Sequence, residues 1–86
     1  MKLSQDFVMF NTDDEGMLVA VGGAPFSGMV RGNGVFRDLL DLLSEEITEA
    51  DLIAAMTARY NAPEERIVRD VKSALEQLRE IGALVE

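Results

Sequence analysis

The apolar residues of this chain change their spacing near Gly32, and this change constrains the fold more than any other feature. Before Gly32, short apolar runs alternate with turn residues. After Gly34, apolar residues recur about every 3.6 positions, as they do on one face of a helix. We therefore expect one domain over residues 1–86, with a β-meander over 1–31 and three helices over 35–82.

The first part of the chain is predicted to contain three short antiparallel strands. The runs 7–10 and 17–21 are rich in strand formers and flank the polar segment 11–16, so they are predicted to form a hairpin. Residues 22–25 contain two glycines and a proline, which indicates a second turn. A third, shorter strand is predicted over residues 26–30.

The second part is predicted to contain three helices. Apolar residues share one face over 35–43, and Thr48 is an N-cap candidate with Asp51 three positions later. The third helix is predicted over 63–81, with its proline in the first turn and Gly82 as the stop signal.

Strands followed by helices are typical of a segregated α+β domain. A small sheet joined to three helices is the composition of a winged helix-turn-helix. The apolar end of the chain, residues 83–85, is expected to pack back on the sheet.

The composition removes several classes of catalytic and metal site. The chain has no cysteine and no histidine, which excludes thiolate nucleophiles, disulfides, zinc sites built on those residues and catalytic triads that need an imidazole. Gly23 and Gly28 have the spacing of a phosphate loop, but Met29 and Val30 follow in place of Lys and Ser or Thr. We therefore expect no catalysis, no cofactor and no metal ion.

The charge balance and hydropathy limit the partners. Sixteen acidic residues against eight basic ones give a net charge of −8, and such a surface repels phosphate backbones. No apolar run approaches the roughly 18–20 residues of a membrane span, and the N-terminal residues do not have the pattern of a signal peptide. The expected location is cytoplasmic, without membrane or nucleic acid as partner.

A peptide-binding surface is indicated by the third helix and the third strand. Val68, Lys72, Leu75 and Arg79 lie about one helical turn apart and form a ridge beside the apolar stripe. Either the two apolar members extend the core and the two bases are solvated, or the ridge borders a groove with an apolar floor and basic edges. The short third strand would offer unpaired backbone groups to a partner strand.

Four stretches of the helical part resemble the PqqD-like proteins, also called RiPP recognition elements. Residues 48–53, 60–65, 70–71 and 75–84 are similar to the family patterns T-x-x-[DE]-[IL], Y-x-x-[DP]-x-E, D-[VI] and L-x-x-L-x-x-x-G-L-[ILV]. Asn33 falls where the family has an Asn before its first helix. The chain departs from the family at Gly32 and Gly34, and at Ala83.

The resemblance implies a fold and a function. It implies a winged helix whose third strand accepts the leader of a ribosomally made precursor peptide as a fourth, antiparallel strand, packed against the last helix. It also implies delivery of that leader to a modifying enzyme such as a radical S-adenosylmethionine protein, in the biosynthesis of pyrroloquinoline quinone (PQQ) or of another modified peptide. Carried onto this chain, the strand positions are Gly28, Met29, Val30 and Arg31, and the helix positions are Val68, Lys72, Leu75 and Arg79.

Two other functions stay open on the sequence alone. A winged helix is also the fold of DNA-binding proteins, although the net charge of −8 argues against DNA. The same slot would also serve a docking adaptor for a larger catalytic chain. The sequence leaves open whether the chain is a monomer or a dimer.

Overall fold

The structure, a computed structural model, describes residues 1–25 and 27–86. Its elements in chain order are β1 (Lys2–Leu3), β2 (Phe7–Asn11), β3 (Gly16–Ala20), β4 (Met29–Gly32), α1 (Gly34–Leu42), α2 (Glu49–Arg59), α3 (Glu64–Glu80) and β5 (Leu84–Val85). The predicted α+β winged-helix arrangement, with a three-stranded antiparallel sheet before three helices, is confirmed. Among the described residues, no helix is long and apolar enough to cross a membrane.

The three-stranded sheet has the order β2-β3-β4, with both pairs antiparallel. Its last strand begins later than predicted. Gly28 has a φ of 120°, a conformation that a regular strand does not use, so β4 starts at Met29 and continues to Gly32. Of the predicted strand 26–30, Phe26 lies outside the described residues.

Two residues that the sequence placed directly before helices, Asn33 and Thr48, cap the starts of those helices. The Asn33 side chain accepts hydrogen bonds from the backbone N–H groups of Val35 and Phe36 at the start of α1. Thr48 accepts one from the N–H of Asp51 at the start of α2. These bonds satisfy N–H groups that have no partner within the helix, which explains an Asn directly before α1.

The C-terminal end, which the sequence predicted to pack back on the sheet, forms a strand that pairs with the N-terminal end. Leu84–Val85 forms β5, which pairs antiparallel with β1, so that Lys2 lies opposite Val85 and Leu3 opposite Leu84. The N–H of Leu3 also donates to the carbonyl of Leu43 at the end of α1, 2.9 Å away. A second, two-stranded sheet therefore ties both ends of the described chain to the helices.

The core lies between the inner face of the sheet and the three helices. Helix α1 packs on β3 and β4, and α2 packs on both α1 and α3. The buried apolar residues are Phe7, Leu18, Leu39, Leu40, Leu43, Leu52, Met56, Ile67, Val71, Leu75, Leu78 and Ala83. Because α3 contributes one stripe to this core, the flanks of that stripe remain available for other contacts.

Candidate functional site

Strand β4 is an outer strand of the sheet, and its backbone orientation follows from one hydrogen bond. The N–H of Ala20 in β3 donates to the carbonyl of Gly28 at 3.0 Å. Residues of an antiparallel pair alternate between bonding the neighbouring strand and pointing away from it. Gly28 and Val30 therefore direct their backbone groups at β3, whereas Met29 and Arg31 direct theirs at the free edge.

The side chains of β4 alternate in the same way. Val30 is half-buried and points toward the helices, whereas Met29 and Arg31 are exposed on the outer face of the sheet. The four predicted strand positions thus divide into two with outward backbone groups and two bonded to β3. Only the side chain of Val30 lies on the helix side, since Gly28 has none.

Two hollows lie along one flank of α3. The first, of about 360 Å³, is lined by Asn33, Val35, Phe36, Leu39, Met56, Arg66, Asp70, Val71 and Ala74. The second, of about 210 Å³, is lined by Val30, Gln77, Leu78, Glu80 and Ile81. The first lies between α3 and the start of α1, and the second lies between α3 and β4. We call the two hollows together the β4–α3 groove, of which only the second is lined by a residue of β4, Val30.

Four residues of α3 that line this groove, and Ile81 directly after the helix, share one side of the helix. Arg66, Asp70, Ala74, Gln77 and Ile81 follow one another at intervals of about one turn. Helix α3 runs antiparallel to β4, because its first half lies beside Asn33, after β4, and its second half lies beside Val30. The groove is therefore lined by residues of α3 along nearly the whole helix.

The predicted helix ridge lies on the opposite flank of the α3 core stripe. Leu75 is fully buried in the core. The guanidinium of Arg79 lies 2.9 Å from the carboxylate of Glu86 and 3.7 Å from that of Glu49 in α2. Val68 is half-buried and Lys72 is exposed, and none of the four is among the described residues that line the groove. The expected groove beside this ridge is therefore not the one at β4.

The ion pair of Arg79 also perturbs the ionisation of its partner. Hydrogen bonds from the guanidinium hold the pKa of the Glu86 carboxyl below its usual range. The same bonds raise the pKa of Arg79. Arg79 is thus engaged within the chain and faces α2 and the C-terminal end. Whether the ridge residues contact a peptide stays a prediction.

Sequence reasoning missed the groove residues of α3, although their spacing was available. Periodicity identifies the buried stripe and two flanks of a helix, but it does not say which flank faces a given strand. That depends on where α3 crosses the sheet, which is a property of tertiary packing. Lys72 and Arg79, which the sequence singled out by their charge, lie on the flank that does not line the groove at β4.

A polar cluster holds the start of α1 against the end of α2. The Tyr60 hydroxyl donates to the Asp38 carboxylate. The guanidinium nitrogens of Arg37 and Arg59 lie 2.8 and 3.5 Å from the other oxygen of the same carboxylate. Burial raises the pKa of the Tyr60 hydroxyl, and the hydrogen bond to Asp38 raises it further. The cluster fixes the first turns of α1, which carry Val35 and Phe36 at the groove.

The chemistry of the groove suits binding of a chain segment. Its lining is mostly apolar, and Arg66 and Asp70 form an exposed pair at 3.9 Å on its border. Within residues 1–25 and 27–86, no three or more acidic side chains lie where they would hold a metal ion. Backbone groups at the β4 edge and apolar hollows beside them are the two elements of strand-addition binding.

Comparison with known proteins agrees with this arrangement. No curated protein matches the chain in sequence. The solved structure of TbiB1 in complex with the TbiA(beta) leader peptide superposes on the chain with a TM-score of 0.78 at 22% sequence identity, covering 100% of both chains. At this identity the likeness shows the fold.

A family match covers nearly the whole sequence. Residues 6–84 match the family described as Coenzyme PQQ synthesis protein D (PqqD). This range includes the three-stranded sheet, all three helices and both sides of the β4–α3 groove. The chain belongs to the PqqD family.

Proposed function

We propose that this protein binds the leader of a ribosomally made precursor peptide and presents it to a modifying enzyme. The observation that carries the proposal is the position of the free β4 edge beside the β4–α3 groove. An extended peptide at that edge finds backbone partners in β4 and pockets in the groove. Membership of the PqqD family, and the likeness to TbiB1, which was solved with a leader peptide, support it.

The backbone contacts of such a peptide follow from the ladder. The N–H and carbonyl groups of Met29 and Arg31 point away from β3, so an added antiparallel strand is offered two donors and two acceptors. Each peptide–backbone hydrogen bond contributes about 0.5–1.5 kcal/mol net. Four such bonds provide affinity without selecting any sequence.

We assign the selection of particular peptide sequences to the β4–α3 groove. Alternate side chains of the added strand would point toward α3, where Val30, Leu78 and Ile81 line the second hollow and Phe36 and Ala74 line the first. These surfaces fit apolar peptide side chains. The Arg66–Asp70 pair at the border offers one charge of each sign to polar neighbours.

The protein contributes binding and not bond chemistry under this proposal. Holding the leader and the enzyme together raises the effective concentration of the attached core peptide at the active site. The modifying enzyme supplies any cofactor, and a radical S-adenosylmethionine enzyme in PQQ or related peptide biosynthesis is the partner class we propose. A cytoplasmic location belongs to the same proposal.

One substitution tests the edge directly. Arg31→Pro removes an N–H that points to solvent, and proline is tolerated at such edge positions. Arg31→Ala is the matched control, because it also removes the side chain that binds Glu15 but keeps the N–H. Binding of a synthetic leader peptide, taken from any short precursor reading frame found near this gene, is measured by isothermal titration calorimetry.

The expected result separates the two variants. Arg31→Pro should weaken binding at least about tenfold, which corresponds to about 1.4 kcal/mol, whereas Arg31→Ala should stay within about threefold. Amide chemical shifts of Met29 and Arg31 should change on titration of the wild-type protein. Unchanged shifts at both residues with saturating leader would refute the proposal.

A further inference from the structure

The outer face of the three-stranded sheet is apolar, although it points away from the core. The register places Val8, Val19 and Met29 in one row across the strands, and Phe10, Met17 and Arg31 in a second row. Val8, Phe10 and Met29 are 39, 54 and 50% exposed. Antiparallel sheets of small domains usually place polar residues on the side away from the core, so this face calls for a covering partner. We call it the outer sheet face.

The border of the outer sheet face is acidic. Of the eight basic residues of the chain, only Arg31 lies in β2, β3 or β4. Its guanidinium is engaged by Glu15, with nitrogen–oxygen distances of 2.9 and 3.0 Å. Asp13 and Asp14 are exposed at the β2–β3 turn. A partner surface that covers this face binds more favourably if it carries basic residues at its own edge.

We propose that the outer sheet face docks the enzyme that modifies the bound peptide, through an apolar surface of that enzyme bordered by Lys and Arg. A second copy of this chain fits less well. Each copy carries a net charge of −8 and would bring its own acidic turn to the interface, where like charges repel.

The outer sheet face continues into the β4 edge where the peptide is proposed to bind, and this makes the modifying enzyme the partner that covers the face. A peptide strand added to β4 extends the sheet by one strand, and its outward side chains lie beside Met29 and Arg31 in the same two rows. The docked enzyme then contacts the carrier and the peptide together. This step rests on the proposed leader-binding function, and it makes the enzyme bind the loaded carrier more tightly than the empty one.

The test uses the full chain, a precursor leader peptide and a purified modifying enzyme that acts on that precursor. The double variant Val8→Thr/Phe10→Thr replaces two exposed apolar side chains with a strand former. Val85→Thr is the matched control, because Val85 is 46% exposed in β5, outside the three-stranded sheet. Circular dichroism and thermal unfolding check that all variants are folded.

The expected result has three parts. The double variant should bind the enzyme at least tenfold more weakly by surface plasmon resonance, while its affinity for the leader stays within about twofold. Val85→Thr should match the wild type in both. Enzyme affinity should fall as NaCl is raised from 50 to 500 mM (roughly the range over which surface charges become screened), and Asp13→Asn/Asp14→Asn should reduce that salt dependence.

Two outcomes would overturn the docking surface. One is an enzyme that does not bind, or that binds the double variant as tightly as the wild type. The other is a wild-type dimer in sedimentation velocity that the double variant dissociates, with enzyme affinity unchanged, since the face would then belong to a second copy. If the enzyme binds through this face but no leader binds β4, the docking surface stands and the leader-binding function falls.

Discussion

The aromatic side chain of Phe36 occupies the space that a side chain of residue 32 would need. A Cβ placed on Gly32 would lie 2.6 Å from both Cβ and Cγ of Phe36, far inside van der Waals contact. Phe36 also lines the β4–α3 groove. Gly32, where the chain departs from the family pattern, therefore leaves the space that Phe36 in the first turn of α1 occupies.

Gly32→Ala should destabilise the protein by about 1–3 kcal/mol, because the added methyl group forces Phe36 or the end of β4 to move. Gly34→Ala is the control. Gly34 has no positive φ, and its added Cβ would lie 3.8 Å from the carbonyl oxygen of Asp14. That variant should be neutral or stabilised by about 0.4–1 kcal/mol. Urea unfolding compares the two, and equal stabilities would contradict the Gly32–Phe36 contact.

The sole tyrosine, in a chain without tryptophan, reports on the Asp38 cluster. Burial and the hydrogen bond to Asp38 raise the pKa of the Tyr60 hydroxyl above its usual value near 10. Tyrosinate absorbance should therefore show a midpoint above pH 10 in the folded protein and a return to about 10 in concentrated urea.

The raised pKa of Tyr60 also predicts in which direction the stability changes with pH. A group whose pKa is raised by folding contributes stability that is complete below its unfolded pKa and is lost as the pH rises through its folded pKa. The free energy of unfolding should thus fall above pH 10, and Tyr60→Phe should remove this part of the fall. A folded midpoint at or below the unfolded one would show that the hydroxyl does not donate to Asp38.

Leu75 is a core residue, so its substitution tests stability before it tests binding. Leu75→Ala should cost about 2–5 kcal/mol, because the side chain is fully buried. Leu75→Met, which conserves volume, should cost less than about 1.5 kcal/mol and should leave leader affinity unchanged. Loss of affinity in a stably folded Leu75→Met variant would instead place this residue in the binding surface.

The two flanks of α3 are distinguished by introducing the same side chain on each. Ala74→Gln adds four heavy atoms to the first hollow of the groove and should weaken leader binding at least about tenfold. Lys72→Gln, on the ridge predicted from sequence, should change the affinity less than about twofold. Calorimetry measures both. A larger loss for Lys72→Gln would assign the peptide to the ridge of Val68, Lys72, Leu75 and Arg79.

The parts of the fold set by local chemistry could be read from the sequence. Short apolar runs rich in strand formers produced β2 and β3, and side-chain caps at Asn33 and Thr48 begin α1 and α2. The start of β4 was misplaced because a backbone conformation, the positive φ of Gly28, decides it. Pairing of β1 with β5 was missed because each is only two residues long and joins distant parts of the chain.

The candidate site was predicted in part for the same reason. Its strand was found, since an outer strand is a consequence of sheet order. The flank of α3 that faces β4 could not be chosen from the sequence, since the choice between the Lys72 side and the Ala74 side depends on how α3 crosses the sheet. The apolar rows of the outer sheet face were present in the sequence as well, but only the register shows that Val8, Val19 and Met29 lie side by side.

The pairing of Lys2 with Val85 brings two positions at opposite ends of the sequence to one point in space. A fold with this geometry can be spliced into a surface loop of a host protein, because the host chain enters and leaves at the same place. It is equally suited to circular permutation, with a short linker joining the two positions and new termini opened at the exposed Asp13–Asp14 turn. The small β1–β5 sheet thus makes this domain suitable for transfer into other proteins.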